Sequence, residues 1–340
     1  MEDLERRLAL STGQASAIPD GVDSLALADV NGDRLVDVVV AGRVSGANEI
    51  QIEDGRGWPD QGNVSSSTVN ILTTLDGKQV PGAGRLAVAA GDFAGQGVSN
   101  VAVTSDRTQT VTVYQFQVVP GPAWPRTNAA NTVLDAQVSP SLLGTAFTPP
   151  DLTGATGLTL AAADFDQNGV DELVVGPAGS GPNILDIMKY DPTTRTWQLT
   201  SQVDLLAVGI TGGVSLSAGD LLGNGQPVIA VGSSTTGAVA VYAPSSHSWL
   251  TTIPAPTGQV GGVRVAVVAN EQAPGALVVT PNSGTGQPVL IPATTWVPQP
   301  FAPSSSFNAG GGALVPLGGG WVYPKSTMMT TPPGTPKLPY

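Results

Sequence analysis

Residues 158–176 read LTLAAADFDQNGVDELVVG, and this stretch decides the fold. An apolar strand ends at Asp164, a polar turn rich in Asp, Asn and Gly follows, and a second apolar strand starts at Glu172. The unit recurs as LALADVNGDRLVDVVVAG from Leu25, LAVAAGDFAGQGVSNVAVT from Leu86 and SLSAGDLLGNGQPVIAVG from Ser215. Fainter copies are VRVAVVANEQAPGALVVTP from Val263 and ALVPLGGGWVYP from Ala313. The lead positions are Asp29, Asp92, Asp164, Asp220, Asn270 and a point near Val315. Most spacings are roughly 50–70 residues, the size of one supersecondary unit stacked on copies of itself.

Tryptophan supplies a second ruler. Trp58, Trp124, Trp197, Trp249 and Trp296 each follow a lead position by roughly thirty residues, several after a polar turn such as YDPTTRTW or YAPSSHSW. Period-two strands such as TVTVYQFQ from Thr110 lie between the markers. Each unit therefore reads as four short antiparallel strands, which describes a propeller blade. The expectation is an all-β propeller over residues 1–328 with six blades, seven being the alternative count. The sixth unit stops before an outer strand, and RRLALSTGQ from Arg6 is expected to supply it and close the ring. TTPPGTPKLPY, within residues 329–340, reads as a Pro-rich tail or linker.

Composition narrows the partners. The 340 residues carry 14 Lys and Arg against 26 Asp and Glu, a formal charge of −12, so nucleic acid and anionic membranes are poor partners. No stretch is long enough to span a membrane, and the first twenty residues lack the apolar core of a secretory signal. With no cysteine, disulfides and thiolate metal sites are excluded.

Two turns carry the chemistry. Asp29, Asn31, Asp33 and Asp37 occupy positions one, three, five and nine of the first, and Asp164, Asp166, Asn168 and Glu172 those of the third. Alternate residues of a tight loop point inward, so these oxygens can converge, with the position-seven carbonyl of Leu35 or Val170 joining them. An all-oxygen set with several carboxylates suits Ca²⁺. An EF-hand closes at position twelve between helices, whereas these turns close at nine between strands. The second turn (Asp92, Ala94, Gln96, Asn100) and the fourth (Asp220, Leu222, Asn224, Val228) keep one carboxylate each and are expected to keep the turn without the metal. Arg34 stands where the other turns have glycine at position six. If that position needs positive φ, the arginine costs on the order of 1 kcal/mol.

These residues resemble the FG-GAP/VCBS-type repeats of integrin-like propellers and many bacterial extracellular proteins. DFDQNGVDELVVGPAG from Asp164 is the best match to that family's acidic loop and following strand, and the resemblance spans roughly residues 20–290. It implies peripheral calcium that stiffens blades, a place outside the cell or on its surface, and a role in adhesion or ligand recognition. Calcium loops with few ligands bind at roughly 10⁻⁴–10⁻³ M, which suits an extracellular setting.

No catalytic or cofactor-binding residue stands out. The one histidine, His247, lies in a polar turn, and no phosphate loop, zinc helix or nucleophile elbow is present. The expected function is therefore non-enzymatic, with a protein or glycan ligand and further domains of a larger chain as partners. A carbohydrate-active propeller (lyase or hydrolase) and a passive spacer are the alternatives. The tryptophans could stack on sugars or rivet blades together.

Overall fold

The computed structural model describes residues 21–34, 36–54, 71–118, 126–127, 133–134, 138–255, 261–268, 274–282, 288–300, 315–317 and 320–322. Five four-stranded antiparallel sheets account for most of them. Blade 1 comprises Gly21–Ala28, Asp37–Val44, Ala47–Glu53 and Ile71–Leu75. Blade 2 comprises Leu86–Gly91, Asn100–Ser105, Thr112–Val118 and Val138–Leu142. Blade 3 has Leu158–Ala163, Glu172–Pro177, Ile184–Asp191 and Thr196–Asp204. Blade 4 has Val214–Gly219, Val228–Ser233, Val239–Ala243 and Ser248–Ile253. Blade 5 has Val263–Val268, Ala276–Pro281, Val289–Pro292 and Gln299–Pro300.

Burial follows strand position. Every residue of the second strands Asn100–Ser105, Glu172–Pro177 and Val228–Ser233 is buried, so those strands are covered on both faces. The fourth strand Ser248–Ile253 mostly alternates between exposed and half-buried residues, as an outer strand should. The apolar cores lie between blades. One core joins Val39 and Ile50 to Val101 and Tyr114, and the next joins Phe93 and Val113 to Leu160 and Val175. A third joins Val174 and Ile187 to Leu216 and Val231, and a fourth joins Ala230 and Val241 to Val265 and Val279.

The first strands of successive blades adjoin one another, blade 1 to blade 2 through to blade 5, and form the inner wall. Glycines permit that approach. Gly157, Gly213 and Gly262 each precede an inner strand, and a Cβ on any of them would lie 1.9–2.2 Å from backbone of Asp106, Ala178 or Ser234 in the preceding blade. Side chains also bridge the inner strands: Val265 and Val267 donate their amides to Ser215 Oγ and Ser217 Oγ at 3.0 Å, and Val88 donates to Ser24 Oγ at 3.2 Å.

The blade count differs from the expected six. Among the described residues there are five full blades, and the sixth unit is a hairpin of Val315–Leu317 with Gly320–Val322 beside the inner strand of blade 1. The rest of this unit lies outside the described residues. The expected closing strand from Arg6, and the tail at 329–340, lie outside the described residues.

The tryptophan ruler also needs correction. Trp197 pairs with Tyr190 and Trp249 with Tyr242, so blades 3 and 4 share one register. In blade 5, Trp296 instead takes the left-handed turn slot (φ 56°) that Arg195 fills in blade 3, each donating its amide to the carbonyl four residues earlier. Trp58 and Trp124 lie outside the described residues.

Candidate functional site

The four acidic turns share one frame. Each lead Asp accepts the amides of positions five and six: Asp33 and Arg34 on Asp29, Gln96 and Gly97 on Asp92, Asn168 and Gly169 on Asp164, Asn224 and Gly225 on Asp220. Position six has positive φ in all four: 67° at Arg34, 73° at Gly97, 83° at Gly169 and 78° at Gly225. Position four is left-handed as well, with Gln167 (φ 58°) the non-glycine there. The lead Asp is thus a turn-forming residue with or without a metal.

Position nine separates the turns into two kinds. In the first, Val30 donates its amide to Asp37 Oδ2 at 2.9 Å, and in the third Phe165 donates to Glu172 Oε2 at 2.9 Å. The second and fourth turns have Asn100 and Val228 at that place, and there the position-two amides of Phe93 and Leu221 bond Gly91 and Gly219 carbonyls instead. Asn100 Oδ1 is left buried without a hydrogen-bond partner.

In the third turn, carboxylate oxygens of Asp164, Asp166 and Glu172 lie within 4.8 Å of one another. Asn168 Nδ2 donates to Asp166 Oδ2 at 2.8 Å, and Asn168 Oδ1 accepts the Val170 amide at 2.9 Å. A residue that sequence reading did not single out completes this cluster: Lys189 Nζ sits 2.6 Å from Asp166 Oδ2 and 2.8 Å from Glu172 Oε1. Burial works against the charged forms, but the hydrogen bonds between them outweigh it for Lys189, which is held above its ordinary value, and for Asp166, which is held below. Burial dominates at Glu172 and pushes it up.

In the first turn, Asn31 Oδ1 accepts the Asp33 amide at 2.9 Å and its Nδ2 donates to Asp33 Oδ2 at 3.3 Å. Asp37 is fully buried. One step beyond the Val38–Glu53 pair, Asp54 stands opposite Asp37, also fully buried, in the place that Lys189 takes opposite Glu172. Burial pushes the neighbouring Glu53 up to about 7. Leu35 lies outside the described residues. The third turn brings three carboxylates together and so fits a hard cation by donor type, although it already holds an ammonium against two of them. Among the described residues the carboxylates of Asp29, Asp33 and Asp37 in the first turn do not converge in the same way.

Position eight links the first three turns in series. Ser99 donates its amide to the Asp29 carbonyl at 2.8 Å, and Asp171 to the Asp92 carbonyl at 3.1 Å. Asp171 Oδ2 also accepts the Asp92 amide at 2.6 Å. Pro227 holds that position in the fourth turn and has no amide proton, and Gln167 Nε2 reaches Gly225 O at 2.5 Å instead.

Trp197 bridges blades. Its ring centroid lies 5.3 Å from Phe93, 5.1 Å from Phe147 and 5.6 Å from Tyr190, and Nε1 donates to Leu143 O at 3.4 Å. Trp249 packs edge-on against Tyr242 at 5.2 Å. His247 is exposed in an outer hairpin in the left-handed conformation (φ 50°).

A cavity of about 500 Å³ lies on the axis, lined by the inner strands of all five blades. Its walls include Ser24, Thr159, Ser215 and Ser217, and one mouth carries Arg85, Arg264, Asp23 and Asp106. Arg264 is an inward position of an otherwise apolar strand, VRVAVV, and that interruption is the sequence signal for it.

Five sheets around an axis, with an apolar core between each successive pair, define a β-propeller. No family model matches the chain, and no curated protein matches it. Among solved structures it is similar to a protein from Lactobacillus plantarum, with TM-score 0.49 and 13% identity over 85% of this chain and 72% of that one. It is also similar to glutaminyl cyclase from Myxococcus xanthus, with TM-score 0.36 and 11% identity over 76% of this chain and 84% of that one. Neither likeness is strong enough to carry an argument, so the propeller rests on the sheets and cores themselves. No helix among the described residues is long and apolar enough to cross a membrane.

Proposed function

We propose that this protein is a calcium-stabilised propeller of the FG-GAP kind, a non-enzymatic recognition module working in adhesion or ligand capture outside the cell. The observation that carries the reading is the match between turn sequence and turn geometry. Only the two turns with oxygen side chains at positions one, three, five and nine fold their closing carboxylate onto the position-two amide. Asp164, Asp166, Asn168, Glu172 and the Val170 carbonyl would hold an ion in blade 3. Asp29, Asn31, Asp33, Asp37 and the Leu35 carbonyl would do so in blade 1. A bound Ca²⁺ would supply positive charge that pins the turn to the start of the second strand, with no part in chemistry.

The hairpin at 315–322 is read as the start of a sixth blade, closed by the N-terminal strand. Trp197 and Trp249 are packed against aromatic neighbours, which favours the rivet role over sugar stacking.

The test is an array of glycans and extracellular-matrix proteins, probed in millimolar calcium and again in EDTA. Calcium-dependent capture of a defined ligand supports the reading. A blank array from protein shown to be folded in calcium would sink the recognition role and leave a spacer.

A further inference from the structure

We infer that the arginine-bearing mouth of the axial cavity binds a small hydroxylated anion, its carboxylate or phosphate group held between Arg264 and Arg85. The inference deepens the recognition role proposed above and does not depend on calcium.

Three observations meet at this mouth. First, both arginines line it, Arg264 half-buried and Arg85 exposed. Two more arginines stand at the same end: Arg43 donates to Gly84 O at 3.1 Å, and Arg107 Nε lies 3.9 Å from Asp106 Oδ1. In a chain of net charge −12 such a gathering runs against composition.

Second, the acids at the mouth are held in place by backbone amides, which leaves the two arginines facing each other across it. Asp23 Oδ2 accepts the Leu86 amide at 3.2 Å, and Asp106 Oδ1 accepts the Arg85 amide at 2.8 Å. Arg264 Nε donates to Asn282 Oδ1 at 3.3 Å. Burial and then the nearby Arg85 hold the Arg264 guanidinium below its ordinary value, with Asp23 only partly offsetting them. The forked guanidinium donors of the two arginines match carboxylate and phosphate oxygens.

Third, the walls offer donors. Ser24, Ser215 and Ser217 line the cavity and each accept an amide from a neighbouring blade, which leaves the hydroxyl proton of each to donate. A ligand rich in acceptor oxygens with one anionic group satisfies both the walls and the mouth.

The experiment uses one sugar with three head groups: glucose, glucuronate and glucose 6-phosphate, titrated calorimetrically into the full chain at constant ionic strength in EDTA. Saturable binding of either anion, absent for glucose and weakened roughly tenfold or more in Arg264→Gln, is expected. Which anion binds identifies carboxylate or phosphate as the source. Binding of glucose as strong as that of the anions, no saturable heat from either anion, or unchanged binding in Arg264→Gln would overturn the inference. Should Arg264→Gln fail to fold, exposed Arg85→Gln takes its place with the same expectation. A positive array beside silent titrations would mean that recognition stands and this cavity is not its site.

Discussion

Lys189 Nζ lies 2.8 Å from Glu172 Oε1, so the third acidic turn carries a cation of its own, reached across from the neighbouring strand. In blade 1 the matching cross-strand place opposite Asp37 holds Asp54, another acid. The two turns that look alike in sequence therefore differ in charge by the residue that faces position nine. Replacing Lys189 with Met should lower the melting temperature in EDTA and enlarge the calcium-dependent rise, because the carboxylates then lack a counter-charge. An unchanged calcium response in Lys189→Met would show that the ammonium and the ion do not share the site.

Arg34 sits at φ 67°, where the corresponding residues of the other three turns are glycines. Substituting Arg34→Gly should remove left-handed strain worth about 1 kcal/mol, less the entropy that glycine adds to the unfolded chain. Chemical denaturation should show a small gain in stability. A clear loss would mean that the Arg34 side chain contributes more than its backbone costs.

Trp197 joins Phe93 and Phe147 of blade 2 to Tyr190 of blade 3. Trp197→Ala should cost about 3 kcal/mol, at the low end for a core aromatic because the ring is only half-buried. Urea unfolding measures it. A near-neutral result would free the indole for a ligand-binding role.

Burial raises Asp186 above its ordinary 3.8, with the amide of Asp151 only partly offsetting it. A folded value above the unfolded one means that the folded state holds the proton more tightly. The contribution of Asp186 is therefore complete below the unfolded value and is lost as pH rises through the folded one. Asp186→Asn should thus gain stability relative to wild type between about pH 4 and about pH 7. Parallel denaturation curves at both pH values would contradict the assignment.

Much of this architecture is legible in the chain. The Asp-led turns mark four of the five blades because the lead carboxylate caps two amides, a local constraint that composition cannot hide. The second strands read as continuous apolar runs because both faces are covered. The tryptophan ruler slipped in blade 5 because Trp296 took a turn slot that Arg195 fills elsewhere, and residue identity alone does not give register. Lys189 was invisible as a site residue because it is a long-range cross-strand neighbour of Glu172. The glycine before the inner strands of blades 3, 4 and 5, in GLTL, GVSL and GVRV, was present to be read. It marks where one blade's backbone meets the next, which is a contact between units rather than within one.

The most direct test of the central claim is the melting temperature in millimolar calcium and in EDTA, for wild type and for Asp33→Ala with Asp166→Ala combined. The account predicts a rise of roughly a few degrees with calcium in wild type that the double variant loses. Equal melting temperatures for wild type in calcium and in EDTA would contradict it.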